Sequence, residues 1–99
     1  MLHIVNKSPL ERSTLDSCLA AAQPGAAVLL IEDGVYAATR GNAAESKLRA
    51  ALARLEIYVL APDLDARGMA QVLTGGVKAI DYAGFVELVV RHKNCQSWL

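Results

Sequence analysis

The chain has 99 residues, of which 54% are hydrophobic but only 5% are aromatic. We expect one domain, residues 1–99, whose core of Ala, Val, Leu and Ile is typical of a parallel sheet covered by helices. Ten basic and ten acidic side chains cancel, so no overall positive field is present that would hold DNA or RNA directly.

The two cysteines and the N-terminus set further limits. Cys18 and Cys95 are far apart and neither belongs to a C-x-x-C pair, so the spacing does not support a zinc site. The N-terminus lacks the features of a secretory signal, and no window approaches the roughly 18 to 20 apolar residues that cross a bilayer. We therefore expect a cytoplasmic protein with no membrane segment.

Four short apolar runs alternate with helix-like segments and predict the strands. These runs are Leu2 to Val5, Val28 to Ile31, Ile57 to Leu60 and Val77 to Ile80. Strand-helix-strand units with right-handed crossovers predict an α/β fold with three layers, α/β/α, around a small parallel sheet of about four to five strands. Ligands and partners bind at the carboxyl ends of such strands.

The first helix is predicted over residues 13 to 22, with the Ser13 hydroxyl as its cap. Cys18 lies on the same stripe as Leu15 and Leu19, where a cysteine is a small core residue. A thiolate at this position would also be a nucleophile or a persulfide carrier. The pattern favours the core interpretation, with sulfur chemistry as the alternative.

The second strand ends on two carboxylates and a glycine, Glu32, Asp33 and Gly34. These residues are expected at the functional edge of the sheet, where they form a turn or contact a partner. Tyr36 follows directly. An aromatic side chain there contributes a large contact area to an interface, or packs on its own domain.

Carboxylates also follow the later strands, at Asp63 and Asp81. Together with Glu32 and Asp33 they would offer Mg²⁺ the oxygen ligands that it prefers. The alternative is that Asp63 and Asp81 are helix caps. The first strand ends in Asn6, which is not a carboxylate, and no glycine-rich phosphate loop is present, so the alternative is favoured and no cofactor is predicted.

Two further helices have recognisable starts. Asn42 is predicted to cap the second helix, with Glu45 completing a capping box, and Asp81 is predicted to cap the last helix. The second helix is expected to show a basic outer face of Lys47, Arg49 and Arg54. The last helix carries an apolar stripe, namely Phe85, Val86, Val89 and Val90.

The polar tail from residue 94 to residue 99 ends on two apolar residues, Trp98 and Leu99. Apolar side chains at a terminus usually need a surface to pack on, so Trp98 is a candidate partner contact. Cys95 in the same tail is expected to be exposed. His3, inside the first strand, is expected to have a structural role.

Several segments together resemble the TusB/DsrH family of sulfur-relay proteins. They are Met1 to Pro9, Val28 to Val35, Ile57 to Gly68, and Ile80 to His92, with Trp98 near the end. The resemblance covers essentially the whole chain. No single motif decides it, but the ordered set at this chain length is fairly specific.

The resemblance implies a DsrE-like fold and a cytoplasmic heterohexamer. Its other subunits would be TusC/DsrF-like and TusD/DsrE-like, and its downstream acceptor a TusE/DsrC-like sulfur carrier. Such a complex transfers persulfide sulfur between cysteines without a metal. The sulfur serves 2-thiolation of the wobble uridine in tRNA in the Tus version, or sulfur oxidation in the Dsr version.

The resemblance also bears on individual residues. The sulfur-carrying cysteine of the TusD/DsrE-like subunit corresponds to about Leu60 here, so this subunit lacks that nucleophile. A structural, partner-binding role is therefore predicted, with contacts at Glu32, Asp33, Tyr36 and Trp98. DsrH-like members carry a cysteine in the first helix, which Cys18 matches, so the alternative is a sulfurtransferase that acts through Cys18.

Overall fold

A parallel sheet forms the centre of the computed structural model, which describes residues 1–10 and 12–98. Its strands are β1 (Leu2–Val5), β2 (Ala27–Leu30), β3 (Glu56–Leu60), β4 (Lys78–Ile80) and β5 (Cys95–Trp98). They pair in the order β4-β3-β2-β1-β5, and every neighbouring pair is parallel. The predicted parallel α/β fold is confirmed.

Helices connect the strands. The α-helices are α1 (Thr14–Ala21), α2 (Glu45–Ala51), α3 (Ala61–Ala66) and α4 (Tyr82–Arg91), and the 3₁₀ helices are Glu32–Ala38 and Ala70–Val72. Successive connections cross from one parallel strand to the next, as the alternating sequence pattern predicts. The connection through α4 is the exception, because it leads from β4 at one edge of the sheet to β5 at the other.

The two faces of the sheet are covered unequally. Val28 and Leu30 of β2 belong to a large core cluster that also takes in buried residues of α1, α2 and α3. The alternate residues of β2, Ala27 and Leu29, belong to a smaller cluster to which Leu88 of α4 contributes. All four β2 side chains are buried, which is why this strand reads as an uninterrupted apolar run.

The polar tail supplies a fifth strand, which is not one of the four apolar runs. Residues 95–98 form β5, which pairs with β1 in the register Leu2 to Cys95 and Val5 to Trp98. Three of its four side chains are exposed. An edge strand with exposed side chains carries little hydrophobic signal, so the local sequence did not reveal it. Leu99 lies outside the described residues.

The apolar stripe of the last helix is only partly buried. Leu88 is buried and Phe85 packs against the smaller cluster. Val86, Val89 and Val90 are instead exposed by 61%, 40% and 79%. The helix therefore has two apolar sides, and the sheet buries only one of them.

The three residues predicted to cap helices differ in whether they do so. Asp81 Oδ1 accepts a hydrogen bond from the Gly84 amide at 2.8 Å, which confirms it as the cap of α4. Ser13 precedes α1 but makes no cap bond through its side chain. Helix α2 begins at Glu45, while Asn42 Oδ1 accepts from the Ala44 amide at 2.6 Å, so Asn42 caps the turn before the helix.

Candidate functional site

The carboxyl edge of the sheet is closed by a polar rim built on the first 3₁₀ helix and α3. The Glu32 amide donates to Asp63 Oδ2 at 2.7 Å, and Arg67 Nη2 lies 3.0 Å from Asp33 Oδ1. Glu32 has a φ of 50°, in the left-handed region that non-glycine residues rarely adopt. The Asp63 bond to its amide holds it there, so Asp63 organises the rim.

Gly34 explains why the chain can turn so tightly at this edge. A Cβ at this position would lie 2.3 Å from the Val5 carbonyl oxygen, and the Gly34 amide donates to the Ile31 carbonyl at 2.8 Å. Only glycine lets the 3₁₀ helix approach the end of β1 this closely. The Glu32-Asp33-Gly34 segment is thus a structural turn that leaves both carboxylates at the surface.

Two of the carboxylates that follow the strands are engaged by backbone amides. Asp63 is bound to the Glu32 amide, and Asp81 is occupied as the cap of α4. Over residues 1–10 and 12–98, no three His, Cys, Asp or Glu side chains are grouped so as to hold a metal ion. Asp81 is therefore a helix cap, as the alternative predicts. Asp63 is not a cap but part of the rim, through its bond to the Glu32 amide.

No thiol lies at the position where the resemblance places the sulfur-carrying cysteine of a sister subunit. That position is occupied by Leu60, which is 3% exposed at the end of β3. Cys18 is fully buried in the large cluster, and burial raises the pKa of its thiol to about 11. A thiol with so high a pKa is almost entirely protonated at neutral pH and is a poor nucleophile.

The two aromatic candidates have different surroundings. Tyr36 is half-buried just beyond the rim, on the 3₁₀ helix Glu32–Ala38. Trp98 is half-buried on β5, and its indole Nε1 donates to Nδ1 of His3 at 3.1 Å. Trp98 thus contacts its own domain through His3, and partner contacts at Tyr36 and Trp98 stay a prediction.

Of the three basic residues expected on the outer face of the second helix, two are ion-paired and the third, Arg54, lies beyond the end of α2. Lys47 is ion-paired with Asp16 of α1, and Arg49 with Glu45 at 3.1 Å. Arg54 donates to the backbone carbonyl oxygens of α1 and its cap, Leu19 at 2.7 Å and Ala22 at 2.8 Å. Arg54 therefore caps the C-terminal end of α1, a role that the sequence reasoning missed.

The exposed apolar side of α4 is the largest feature that the sequence reasoning missed. It consists of Tyr82, Val86, Val89 and Val90. The signal was present, because Phe85 and Leu88 add a second apolar stripe to the same ten residues, and one helix face cannot hold both. None of the described helices is long and apolar enough to cross a membrane.

Comparison with known proteins places this five-stranded parallel domain in a family. Residues 7–95 match the family model DsrH, described as DsrH like protein. Protein TusB of Pectobacterium parmentieri is 40% identical over 98 residues, which span 99% of this chain and all of the relative. Protein TusB of Escherichia coli O81 (strain ED1a) is 36% identical over the same shares. The chain belongs to the DsrH-like family, which includes the TusB proteins.

Solved structures agree on the fold. The ychN protein from Escherichia coli superposes with a TM-score of 0.80 at 16% identity, over 98% of this chain and 97% of that one. MTH1491 from Methanobacterium thermoautotrophicum gives a TM-score of 0.72, also at 16% identity, over 97% and 95%. At such identities the likeness concerns the fold alone.

Proposed function

We propose that this chain is a non-catalytic subunit of a cytoplasmic sulfur-relay complex. It forms a single domain, residues 1–99, and assembles with a TusC/DsrF-like and a TusD/DsrE-like subunit in a heterohexamer. The complex passes persulfide sulfur to a TusE/DsrC-like carrier, for 2-thiolation of the tRNA wobble uridine or for sulfur oxidation. This chain contacts neither nucleic acid nor membrane and needs no cofactor.

The carboxyl edge supports a structural rather than a catalytic role. Persulfide transfer requires a thiolate that attacks a neighbouring sulfur atom. Leu60 occupies the relevant strand end, and the rim beside it is built from the Glu32 amide bound to Asp63 and from the Asp33–Arg67 ion pair. The site geometry offers a firm, charged surface and no sulfur nucleophile.

The single observation that carries the proposal is the apolar side of α4 that the chain leaves exposed. A helix that is apolar nearly all round belongs to a buried position, and contiguous exposed apolar residues mark interaction surfaces. Val86 and Val90 are one turn apart and are exposed by 61% and 79%. Sister subunits with the same layered fold would bury this side of α4 and complete the thinner helical layer.

Co-expression tests the assembly. The chain, produced together with a TusC/DsrF-like and a TusD/DsrE-like protein, is expected to purify as a stable hetero-oligomer on size exclusion. A folded chain that remains monomeric in the presence of both partners at micromolar concentration would overturn the proposed role. An unrelated α/β protein of similar size, co-expressed in place of the partners, is the negative control.

A sulfurtransferase that acts through Cys18 is the alternative function. It would require the thiol of Cys18 to reach a partner's persulfide and to lose its proton readily. Its complete burial and raised pKa oppose both requirements. Cys95 is exposed on β5, but the resemblance assigns it no role. The non-catalytic role is therefore preferred.

A further inference from the structure

The C-terminal strand pairs with β1 through its backbone, and a part-buried side-chain bond reinforces that pairing. Trp98 Nε1 donates to His3 Nδ1 at 3.1 Å, and the two rings lie 6.0 Å apart between centroids. His3 is 4% exposed. The other three side chains of β5 are exposed, so Trp98 is the member of β5 that anchors it in the interior.

The geometry fixes the protonation state of His3. Nδ1 accepts the indole hydrogen bond, so the neutral ring must carry its proton on Nε2. A second proton would convert Nδ1 into a donor that faces the Trp98 donor. The bond would be lost, and a buried cation would replace a neutral ring.

The surroundings of His3 offer little to stabilise that cation. Its register neighbours are Val28 of β2 and Gln96 of β5, neither of which is charged. A cleft of about 600 Å³ is lined by His3 itself and by Met1, and its other lining residues are uncharged, namely Ala21, Gln23, Pro24, Gly25, Ala26, Gln96 and Trp98. The charged group that acts on the ring is the Met1 ammonium, which joins burial in lowering the pKa of His3.

We infer that His3 and Trp98 form an acid-sensitive latch, in which neutral His3 keeps β5 docked on β1 and protonated His3 releases it. Release breaks the Trp98 anchor while β1 keeps its pairing with β2. It exposes the outer edge of β1, whose unpaired backbone groups can then pair with another strand. The latch is thus a pH-dependent control of the sheet edge, beyond the proposed relay role.

The direction in which pH affects the docking of β5 follows from the linkage between docking and protonation of His3. The docked form has a lowered His3 pKa, so the released form binds the proton more tightly. Docking is unaffected well above the ordinary histidine pKa of 6.5. It weakens as the pH falls below that value, by up to about tenfold per pH unit, until the pH passes the lowered pKa of the docked form.

Trp98 is the single tryptophan of the chain, so its fluorescence reports on the latch without interference. On titration of the full chain from about pH 7.5 to about pH 4.5, the emission is expected to shift to longer wavelength. Over the same range, hydrogen-exchange protection of the β5 amides should fall by up to about tenfold per pH unit. Protection of the β2 amides should persist, because β2 lies at the centre of the sheet.

Two variants separate the latch from general acid effects. His3→Asn keeps an acceptor near the position of Nδ1 but does not titrate, so its Trp98 emission should not change with pH. His92→Asn is the matched control, because burial also lowers the pKa of His92; this variant should keep the wild-type response. If His3→Asn does not fold, the NMR titration of His3 in the wild type should share its midpoint with the emission shift.

Three results would overturn the latch. They are an emission that stays constant across the titration, an unchanged response in His3→Asn, and a loss of β2 protection in step with β5. The last would mean global unfolding rather than release of one strand. An NMR midpoint for His3 that differs from the emission midpoint would also exclude it.

Discussion

Cys18 shows how a single residue separates a structural role from a chemical one. Its thiol is fully buried among apolar side chains of the large cluster, including Leu15 and Leu19. Burial disfavours the charged thiolate, which is why its pKa rises to about 11. The sulfur atom thus contributes to packing, in agreement with the core interpretation that the helical spacing favours.

Persulfide labelling tests this at the residue scale. The native chain, treated with a persulfide donor and digested, should carry added sulfur on Cys95 and none on Cys18, because the reaction needs an accessible thiolate. Mass spectrometry of the two cysteine peptides provides the measurement. Denaturation before treatment should make both cysteines react.

Matched variants complete this test. Cys18→Ala should support relay as well as the wild type in the assembled complex, with a stability loss of about 1 kcal/mol, typical for a single substitution. Cys95→Ser should remove the labelling. Persulfide on Cys18 in the native protein, or relay lost in a folded Cys18→Ala variant, would favour the sulfurtransferase alternative.

At the scale of the elements, two residues that are both suited to capping a helix differ in whether they form a cap bond. Asp81 and Ser13 both precede a helix and both were predicted as caps. Asp81 makes the bond to the Gly84 amide, and Ser13 makes no cap bond through its side chain. Sequence alone identifies residues able to cap a helix, whereas the entry angle of the chain decides which of them reaches a free amide.

These two residues give a matched pair of substitutions. Asp81→Ala should lower the free energy of unfolding by about 1 kcal/mol, the usual cost of a lost N-cap. Ser13→Ala should change it by less than about 0.5 kcal/mol, as for an ordinary surface substitution. Urea denaturation monitored by circular dichroism measures both. Equal losses for the two variants would contradict the cap geometry.

The whole molecule is asymmetric in how its sheet is covered. Three α-helices and the 3₁₀ helix Glu32–Ala38 contribute to the large cluster on one face, while α4 contributes to the small cluster on the other. The exposed apolar side of α4 adjoins this thinner layer. An assembly that buries it would gain roughly 25 cal/mol for each Å² of apolar surface removed from water, which gives the proposed subunit contact its driving force.

Lysine substitutions on α4 test this surface. The double variant Val86→Lys with Val90→Lys should fold like the wild type, because both positions are exposed. It should no longer purify with its sister subunits, since two buried charges without partners are costly at an interface. Co-purification from tagged partners measures the loss, which we expect to exceed tenfold.

Glu87→Lys is the control for this surface. Glu87 is an exposed residue of the same helix, but it lies outside the apolar stripe, so this variant should assemble normally. If both variants assemble as well as the wild type, the subunit contact lies elsewhere on the molecule. If both fail equally, added positive charge rather than the stripe explains the loss.

Much of the fold could be predicted from the sequence, because its signals are local. The four apolar runs and the aspartate before α4 each act within a few residues of chain. They were sufficient for the layered parallel sheet and for the burial of Cys18. The ordered segments shared with the TusB/DsrH family also came from sequence, and the comparisons confirm that membership.

Only the tertiary structure decided the features that depend on distant contacts. Strand β5 exists because it pairs with β1 and because Trp98 reaches His3, 95 residues away. The exposed side of α4 depends on which stripe the sheet covers, and a periodic pattern with two apolar stripes cannot specify that. The turn at Glu32, Asp33 and Gly34, which the sequence favours over a metal site, is fixed by Asp63, Arg67 and the Val5 carbonyl. Local propensity and periodicity thus set the elements, whereas long-range packing determined which of their surfaces remain exposed.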